Sequence, residues 1–364
     1  MKLNRKEFLS MLAMHQNNID KRAINQIFAS IRVYSNANEL NIISMDGERL
    51  LQHKVNEQFQ KCDLFLPGAS LYDLLRKSTQ EYFEILESDQ ENKEQNYIVK
   101  LGNGEFKFAK NKEAKFPEWI DSHEHTIEFD AKELSDNLKT VKWASSTDDS
   151  RPFLNGVCLD LTSDKVNFCS TDGLRLALSK LNNTTGIEGT WIFSRKSVND
   201  LIKLLEEAEG KVFVSLGKNV QIKFSTKNKE ITWKSLLVAG KFPQYEKIIT
   251  KDYIGKLKVE VKDLIEIIDR MMIIANFNQP IITFTLGYQC EVFAESSTSS
   301  GKDILKCEYE GPDFKISFNG KLLLEMLNNI SGKIDILINN PLAPVAIKSE
   351  INENAIFILA PMKR

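Results

Sequence analysis

No stretch of the 364 residues approaches the roughly 18 consecutive apolar positions a membrane-spanning helix needs. The opening segment MKLNRKEFLSML has no long apolar run followed by a small-residue cleavage site, so no secretory leader is expected. Cysteine is scarce: Cys62, Cys158, Cys169, Cys290 and Cys307 are odd in number and scattered. That argues against a disulfide framework and for reduced thiols, hence a cytoplasmic location. An excess of one charge sign is also missing, with 48 basic against 50 acidic residues and a net charge of −2. The high pI of many DNA-binding domains is therefore absent, yet balanced totals still permit one basic face. Catalytic signatures are lacking as well. There is no GxxxxGK[ST] loop for a nucleoside triphosphate. His123 and His125 flank Glu124 without a third ligand at metal spacing, and Asp148, Asp149 and Asp160 have no base or nucleophile beside them in sequence. The chain reads as non-catalytic, with no cofactor and no metal.

What is present is the balance of a globular protein, 42% hydrophobic and 27% charged, long enough for two or three domains. Its most informative feature is a pattern that occurs three times: Met1–Phe8, Ile127–Leu134 and Leu257–Leu264. Each copy alternates apolar and polar residues, then runs Lys, acid, apolar, with a further apolar residue four places on (Leu12, Leu138, Ile268). A period of two that gives way to a spacing of four predicts a short strand entering an amphipathic helix. The acid falls in the first turn, where the helix dipole favours it. A second strand-to-helix element recurs at Ser70–Leu75, Ser197–Ile202 and Leu322–Leu327. Lys115-Phe116-Pro117 and Lys241-Phe242-Pro243 echo one another as segments that close a unit, Pro favouring extended chain before it. The shared period of about 126 residues makes the chain three units long. Between the helices, runs such as Val157–Leu161 and Arg175–Ser179 predict strands. Asp46-Gly47, Asp172-Gly173 and Asn319-Gly320 predict turns, and 87–95 predicts a hairpin loop.

With this period in place, Arg151-Pro152-Phe153-Leu154-Asn155-Gly156-Val157, Ser170-Thr171-Asp172-Gly173-Leu174-Arg175-Leu176-Ala177, Lys241–Tyr245 and the terminal Ala360–Arg364 become recognisable in their order. The chain resembles the family of bacterial β sliding clamps, the β subunit of DNA polymerase III, along its whole length. The resemblance implies an α+β fold of three clamp domains, 1–122, 123–250 and 251–364, each a duplicated β-α-β-β-β unit. It further implies a head-to-tail homodimer closed into a ring, with helices lining the hole. The function implied is a processivity factor that encircles duplex DNA without sequence specificity. Partners implied are the replicative polymerase catalytic subunit, a clamp loader, translesion polymerases and mismatch-repair proteins.

Three sets of residues follow. The predicted helices carry Arg5, Lys6, Arg76, Lys77, Lys132, Lys139, Lys142, Arg195, Lys196, Lys203, Lys262, Arg270 and Lys321. Diffuse positive charge of this kind suits phosphates whose base identity must not matter. The resemblance selects Arg22, Arg151, Phe153, Arg195 and Lys196 as direct DNA contacts. Pro152-Phe153 stands where relatives place two tyrosines, which removes hydroxyls able to reach phosphate. The resemblance also implies a hydrophobic socket for partner peptides, lined by Leu154, Thr171, Gly173, Leu174, Arg175, Leu176, Pro243, Lys247, Ile248, Ile358, Leu359, Pro361 and Met362. Leu174 stands there in place of a histidine. The apolar run Ala355–Ala360 reads equally well as a last core strand. Finally, Phe106 of one subunit is expected near Ile273 and Ile274 of the other, although Met271–Ile274 also reads as an ordinary buried helix end. A peptide-binding scaffold without DNA, and a hydrolase or nuclease on repeated α+β domains, remain the alternatives.

Overall fold

The computed structural model describes residues 1–362 apart from 37, 88–95, 111–114, 182, 184, 227–228 and 250–251. The expected 87–95 loop thus lies, but for Glu87, outside the described residues, as do Lys363 and Arg364. In chain order the first repeat is β1 (Lys2–Asn4), α1 (Arg5–His15), β2 (Ser30–Ser35), β3 (Leu40–Met45), β4 (Arg49–Val55), β5 (Cys62–Pro67), α2 (Gly68–Arg76), β6 (Tyr82–Glu87), β7 (Asn96–Leu101) and β8 (Gly104–Ala109). The second is β9 (His123–Asp130), α3 (Ala131–Val141), β10 (Gly156–Thr162), β11 (Lys165–Thr171), β12 (Arg175–Leu181), β13 (Gly189–Ser194), α4 (Arg195–Leu205), β14 (Lys211–Gly217), β15 (Asn219–Thr226) and β16 (Lys229–Leu236). The third is β17 (Gly255–Glu260), α5 (Val261–Ile274), β18 (Ile281–Leu286), β19 (Cys290–Glu295), β20 (Ser300–Leu305), β21 (Glu308–Glu310), β22 (Phe314–Asn319), α6 (Gly320–Leu327), β23 (Lys333–Ile338), β24 (Val345–Ser349) and β25 (Ala355–Leu359). Strand, helix and three strands therefore occur twice in every repeat, with β21 added in the last.

Local chemistry explains the strand-to-helix joints. Asn4, Asp130, Ser194 and Asn319 end their strands, and each side-chain oxygen accepts a backbone N–H from the first helical turn. Such caps satisfy donors that the helix itself leaves unpaired. Glu7, Glu133 and Asp263 lie in the first turns of α1, α3 and α5, as the pattern predicts. Asn319-Gly320 is not a free turn: Asn319 caps α6 and Gly320 is its first residue. A Cβ on Gly320 would run into Met272 and Ile282, so glycine lets the helix start close against its neighbours.

The strands form six antiparallel arrays of four, fused pairwise at two places. The eight-stranded sheet has the order β5-β2-β3-β4-β16-β15-β14-β9, and the nine-stranded sheet β13-β10-β11-β12-β25-β24-β23-β17-β21. Arrays β1-β6-β7-β8 and β20-β19-β18-β22 stand by themselves. The fusions pair the last strands of two arrays: Arg49 opposes Ser235 across β4 and β16, and Arg175 opposes Leu359 across β12 and β25. The chain accordingly divides into two compact units, 1–135 with 199–237 and 136–198 with 238–364. These cut the middle sequence repeat in two, because backbone pairing between repeats holds each half to its outer neighbour. In the first unit Phe8, Leu12, Leu71 and Leu75 of the helices bury against Phe83 and Val99 on one sheet and Ile31, Val33, Leu64 and Leu66 on the other. In the second, Leu154, Leu176, Leu178, Ile192, Phe242, Tyr245 and Ile358 form a core beneath the β12–β25 fusion.

Candidate functional site

A socket opens where β12 and β25 meet. Leu176 opposes Ile358 in register, and a hydrogen bond from Ala360 N to Leu174 O (2.8 Å) extends the pairing beyond the strand end. A cavity of about 260 Å³ lies over this junction. Its lining is Arg151, Phe153, Leu154, Thr171, Gly173, Leu174, Arg175, Leu176, Pro243, Tyr245, Ile248, Pro344, Ile358 and Ala360. Leu154, Leu176 and Ile358 are buried, whereas Leu174 (57% exposed) and Ile248 (40%) offer apolar surface to solvent. An apolar anchor seated there gains about 25 cal/mol per Å² of surface removed from water, before ordering costs.

The polar part of the wall is a tight turn. Asp172 Oδ1 accepts the backbone N–H groups of Leu174 (2.9 Å) and Arg175 (3.0 Å). Thr171 Oγ1 accepts from Gly173 N (3.0 Å) and donates to Arg175 O (2.6 Å). Gly173 sits at φ +95°, a left-handed conformation that glycine adopts without steric cost. The buried Arg175 guanidinium donates to Asp172 Oδ2 (3.0 Å) and to Glu325 Oε2 on α6 (2.5 Å), and lies 5.3 Å from the Trp143 ring centre. Tyr245 donates its hydroxyl to Asp160 Oδ2 (2.6 Å), and burial together with that carboxylate pushes the phenol's pKa up.

Nine of the thirteen expected socket residues line this cavity: Leu154, Thr171, Gly173, Leu174, Arg175, Leu176, Pro243, Ile248 and Ile358. Leu359 does not. It is fully buried on the opposite face of β25 and borders a small apolar void with Leu257, Phe284 and Leu323. Lys247 is exposed beside Ile248, and Pro361 and Met362 are half-buried past the strand end, where Met362 N donates to Ser317 O (2.8 Å). Arg151 and Phe153, expected against DNA, border the socket. Tyr245, Pro344 and Ala360 were missed. Tyr245 follows the Phe242-Pro243 echo and could have been found from it, while nothing local marks Pro344.

Of the basic residues, Arg22, Arg195 and Lys196 are exposed. Lys6, Arg76, Lys77, Lys132, Lys139, Lys203, Lys262, Arg270 and Lys321 are exposed too, on or just beyond the helices. Three of the arginines have other work, among them Arg76, whose Nη2 lies 3.4 Å from Asp73 Oδ1. Arg5 donates to Leu75 O (3.1 Å) and to Gln80 O, tying down the end of α2, and Arg270 is held by Asp303 Oδ2 (2.7 Å). Phe106 lies on the edge strand β8, 39% exposed, and Ile273 at the end of α5 is 83% exposed. Ile274 is half-buried, its side chain lying over Gly301 on β20.

Comparison with known proteins returns three family models in chain order. They are the N-terminal (residues 1–120), central (128–244) and C-terminal (246–363) domains of the DNA polymerase III beta subunit. The chain is 25% identical over 380 aligned positions to a beta sliding clamp of Pseudomonas putida, covering 99% of each. A crystal structure of the DNA polymerase III subunit beta from Pseudomonas aeruginosa matches with TM-score 0.91 at 21% identity, over 100% of both chains. A sliding clamp from Bartonella birtlesii, solved bound to griselimycin, matches with TM-score 0.89 at 24% identity, over 100% of this chain and 99% of that one.

Proposed function

The chain belongs to the DNA polymerase III β-subunit family, and we propose that it works as a sliding clamp, a ring of two subunits that encircles duplex DNA and tethers polymerases. The observation that carries this reading is the pattern of sheet edges. Six arrays offer six homologous last strands; β4 joins β16, β12 joins β25, and β8 and β20, paired on one side to β7 and β19, keep an unpaired outer edge among the described residues. Pairing β8 of one subunit with β20 of a second repeats the same antiparallel fusion and, applied twice, closes head to tail. The sequence repeats 1–122, 123–250 and 251–364 are then the three clamp domains. Phe106, Ile273 and Ile274 belong to the seam.

In this ring the exposed helical lysines and arginines, with Arg22, Arg195 and Lys196 as direct contacts, face phosphate. Arg151 and Phe153 stand between the DNA and the socket and serve either. Lysine and arginine on long stems exchange phosphates without reading bases, so the ring slides. The socket takes apolar peptide segments of the replicative polymerase, translesion polymerases, mismatch-repair proteins and the clamp loader, and it is the site that griselimycin occupies on this chain. The protein carries no catalytic site of its own and acts in the cytoplasm. No helix among the described residues is long and apolar enough to cross a membrane.

The test is topological. Protein loaded on closed circular DNA is expected to stay bound and to be released when the circle is cut once. Equal release from intact and cut circles would sink the proposal.

A further inference from the structure

The socket's turn has a twin in the other compact unit. Asp46-Gly47-Glu48-Arg49 stands 126 residues before Asp172-Gly173-Leu174-Arg175. Each turn opens the last strand of its array at a sheet fusion. The backbone bond of Leu236 N to Glu48 O (2.8 Å) matches that of Ala360 N to Leu174 O (2.8 Å). Asp46 Oδ1 accepts from Glu48 N (3.1 Å) and Arg49 N (2.8 Å), as Asp172 does in its own turn. Both arginines are buried, and each reaches an acid on the second helix of the next repeat: Arg49 Nη1 lies 3.1 Å from Asp200 Oδ2 on α4, and Arg175 Nη1 2.5 Å from Glu325 Oε2 on α6.

The twins differ at the far end of the bridge. Asp200 is buried and also accepts from Trp233 Nε1 (3.0 Å) and Asn17 Nδ2 (3.1 Å), while Arg49 donates to Asn17 O (2.7 Å). That joint is closed on all sides. Glu325 has an exposed side chain (61%), with Arg175 as its one ion-pair partner among the described residues. Yet the turn Arg175 governs supplies four consecutive socket residues, Gly173 to Leu176. Beyond Asp172 of its own turn and the Trp143 ring, the copy that meets a ligand is thus fastened by one outward-facing carboxylate.

We infer that Glu325 is a positioning residue for the socket, which it does not line, holding Arg175 and through it the Asp172–Arg175 turn in the shape that receives a ligand. Glu325 is exposed, and Asp172 still pairs the buried Arg175 without it, so its loss takes little from global stability. A wall left to move must instead be ordered when the ligand arrives, and that cost falls on affinity. The inference rests on the socket reading above and deepens it.

Calorimetric titration of the full-length protein with griselimycin tests it. Wild type is expected to bind. Glu325→Ala should bind about tenfold more weakly, the order of one charge-assisted hydrogen bond, with its melting temperature and sedimentation unchanged. Glu325→Gln, whose amide oxygen still accepts from Arg175, should recover most of the loss. Asp200→Asn, which opens the twin joint, should lower the melting temperature and leave griselimycin affinity as in wild type. Wild-type affinity in Glu325→Ala, or a matching loss in Asp200→Asn, overturns the positioning role while leaving the socket in place. A wild type that takes up no griselimycin overturns the socket assignment itself.

Discussion

His15 and His53 pack ring to ring in the first unit, with centroids 4.8 Å apart. His15 Nδ1 lies 2.7 Å from Ser44 Oγ, His53 Nδ1 2.9 Å from His15 Nε2, and His53 Nε2 3.0 Å from Met14 Sδ. Burial holds both imidazoles neutral. It drives His15 well below the ordinary histidine range, helped by His53, and His53 down to about 3, helped by Lys229. Each ring protonates more readily in the unfolded chain, so the pair's contribution to stability is intact above about pH 6.5 and is lost as pH falls towards 3. Below pH 6.5 each such group costs up to about 1.4 kcal/mol per pH unit. Melting temperatures taken from pH 7.5 to 4.5 should therefore fall more steeply for wild type than for His53→Gln. Parallel curves would assign the acid sensitivity elsewhere. The cluster was not legible in the sequence: His15 ends a helix and His53 lies in β4, and only the packing of α1 on its sheet brings them together.

At the scale of elements, the strand-to-helix joints were readable because their determinants are local. The change of apolar period and the acid of the first turn lie within eight residues of each other, at Lys2–Leu9 and again at Glu128–Ser135. Asn319-Gly320 was misread because Asn and Gly suit both a turn and a helix start, and only Pro280, Met272 and Ile282 packed beside them decide between the two. Leu359 was legible after all: a period of two forbids it to share a face with Ile358. Fusion of β12 with β25 joins segments about 180 residues apart and leaves no local trace, so Pro344 and Ala360 could not be found. The tight turns do leave one. Gly173 at φ +95° has its would-be Cβ 3.3 Å from Arg151 Nη1, and Gly47 sits at φ +90° with Phe28 at 3.6 Å. Alanine at either position should destabilise by about 1–2 kcal/mol from backbone strain. Only Gly173→Ala should also weaken griselimycin binding, since only that turn borders the socket. Denaturant melts beside titrations separate the two effects, and equal affinities in both variants would contradict the assigned wall.

On the scale of the whole molecule the remaining question is what covers β8 and β20, the two last strands that no fusion pairs among the described residues. The β8 edge presents Phe106 on the face that carries Val99, the core side of its sheet, yet leaves it 39% exposed. Ile273 at the end of α5 is 83% exposed and Phe277 just beyond it equally so, while Ile274 covers Gly301 of β20. Apolar side chains beside unpaired backbone edges are a hazard that proteins ordinarily cover. In the proposed head-to-tail dimer a second copy would cover both kinds of surface at once, with Phe106 of one subunit against Ile273 and Ile274 of the other. Ile273→Asp would place an unpaired carboxylate in that seam, whose desolvation nothing offsets. The variant is therefore expected to sediment as a monomer at concentrations where wild type sediments as a dimer, and to lose retention on closed circular DNA. Its affinity for griselimycin should not change, because the socket lies at the β12–β25 fusion and takes nothing from α5. A dimeric Ile273→Asp would move the seam away from α5, and a monomeric wild type would remove the closed ring on which tethering depends.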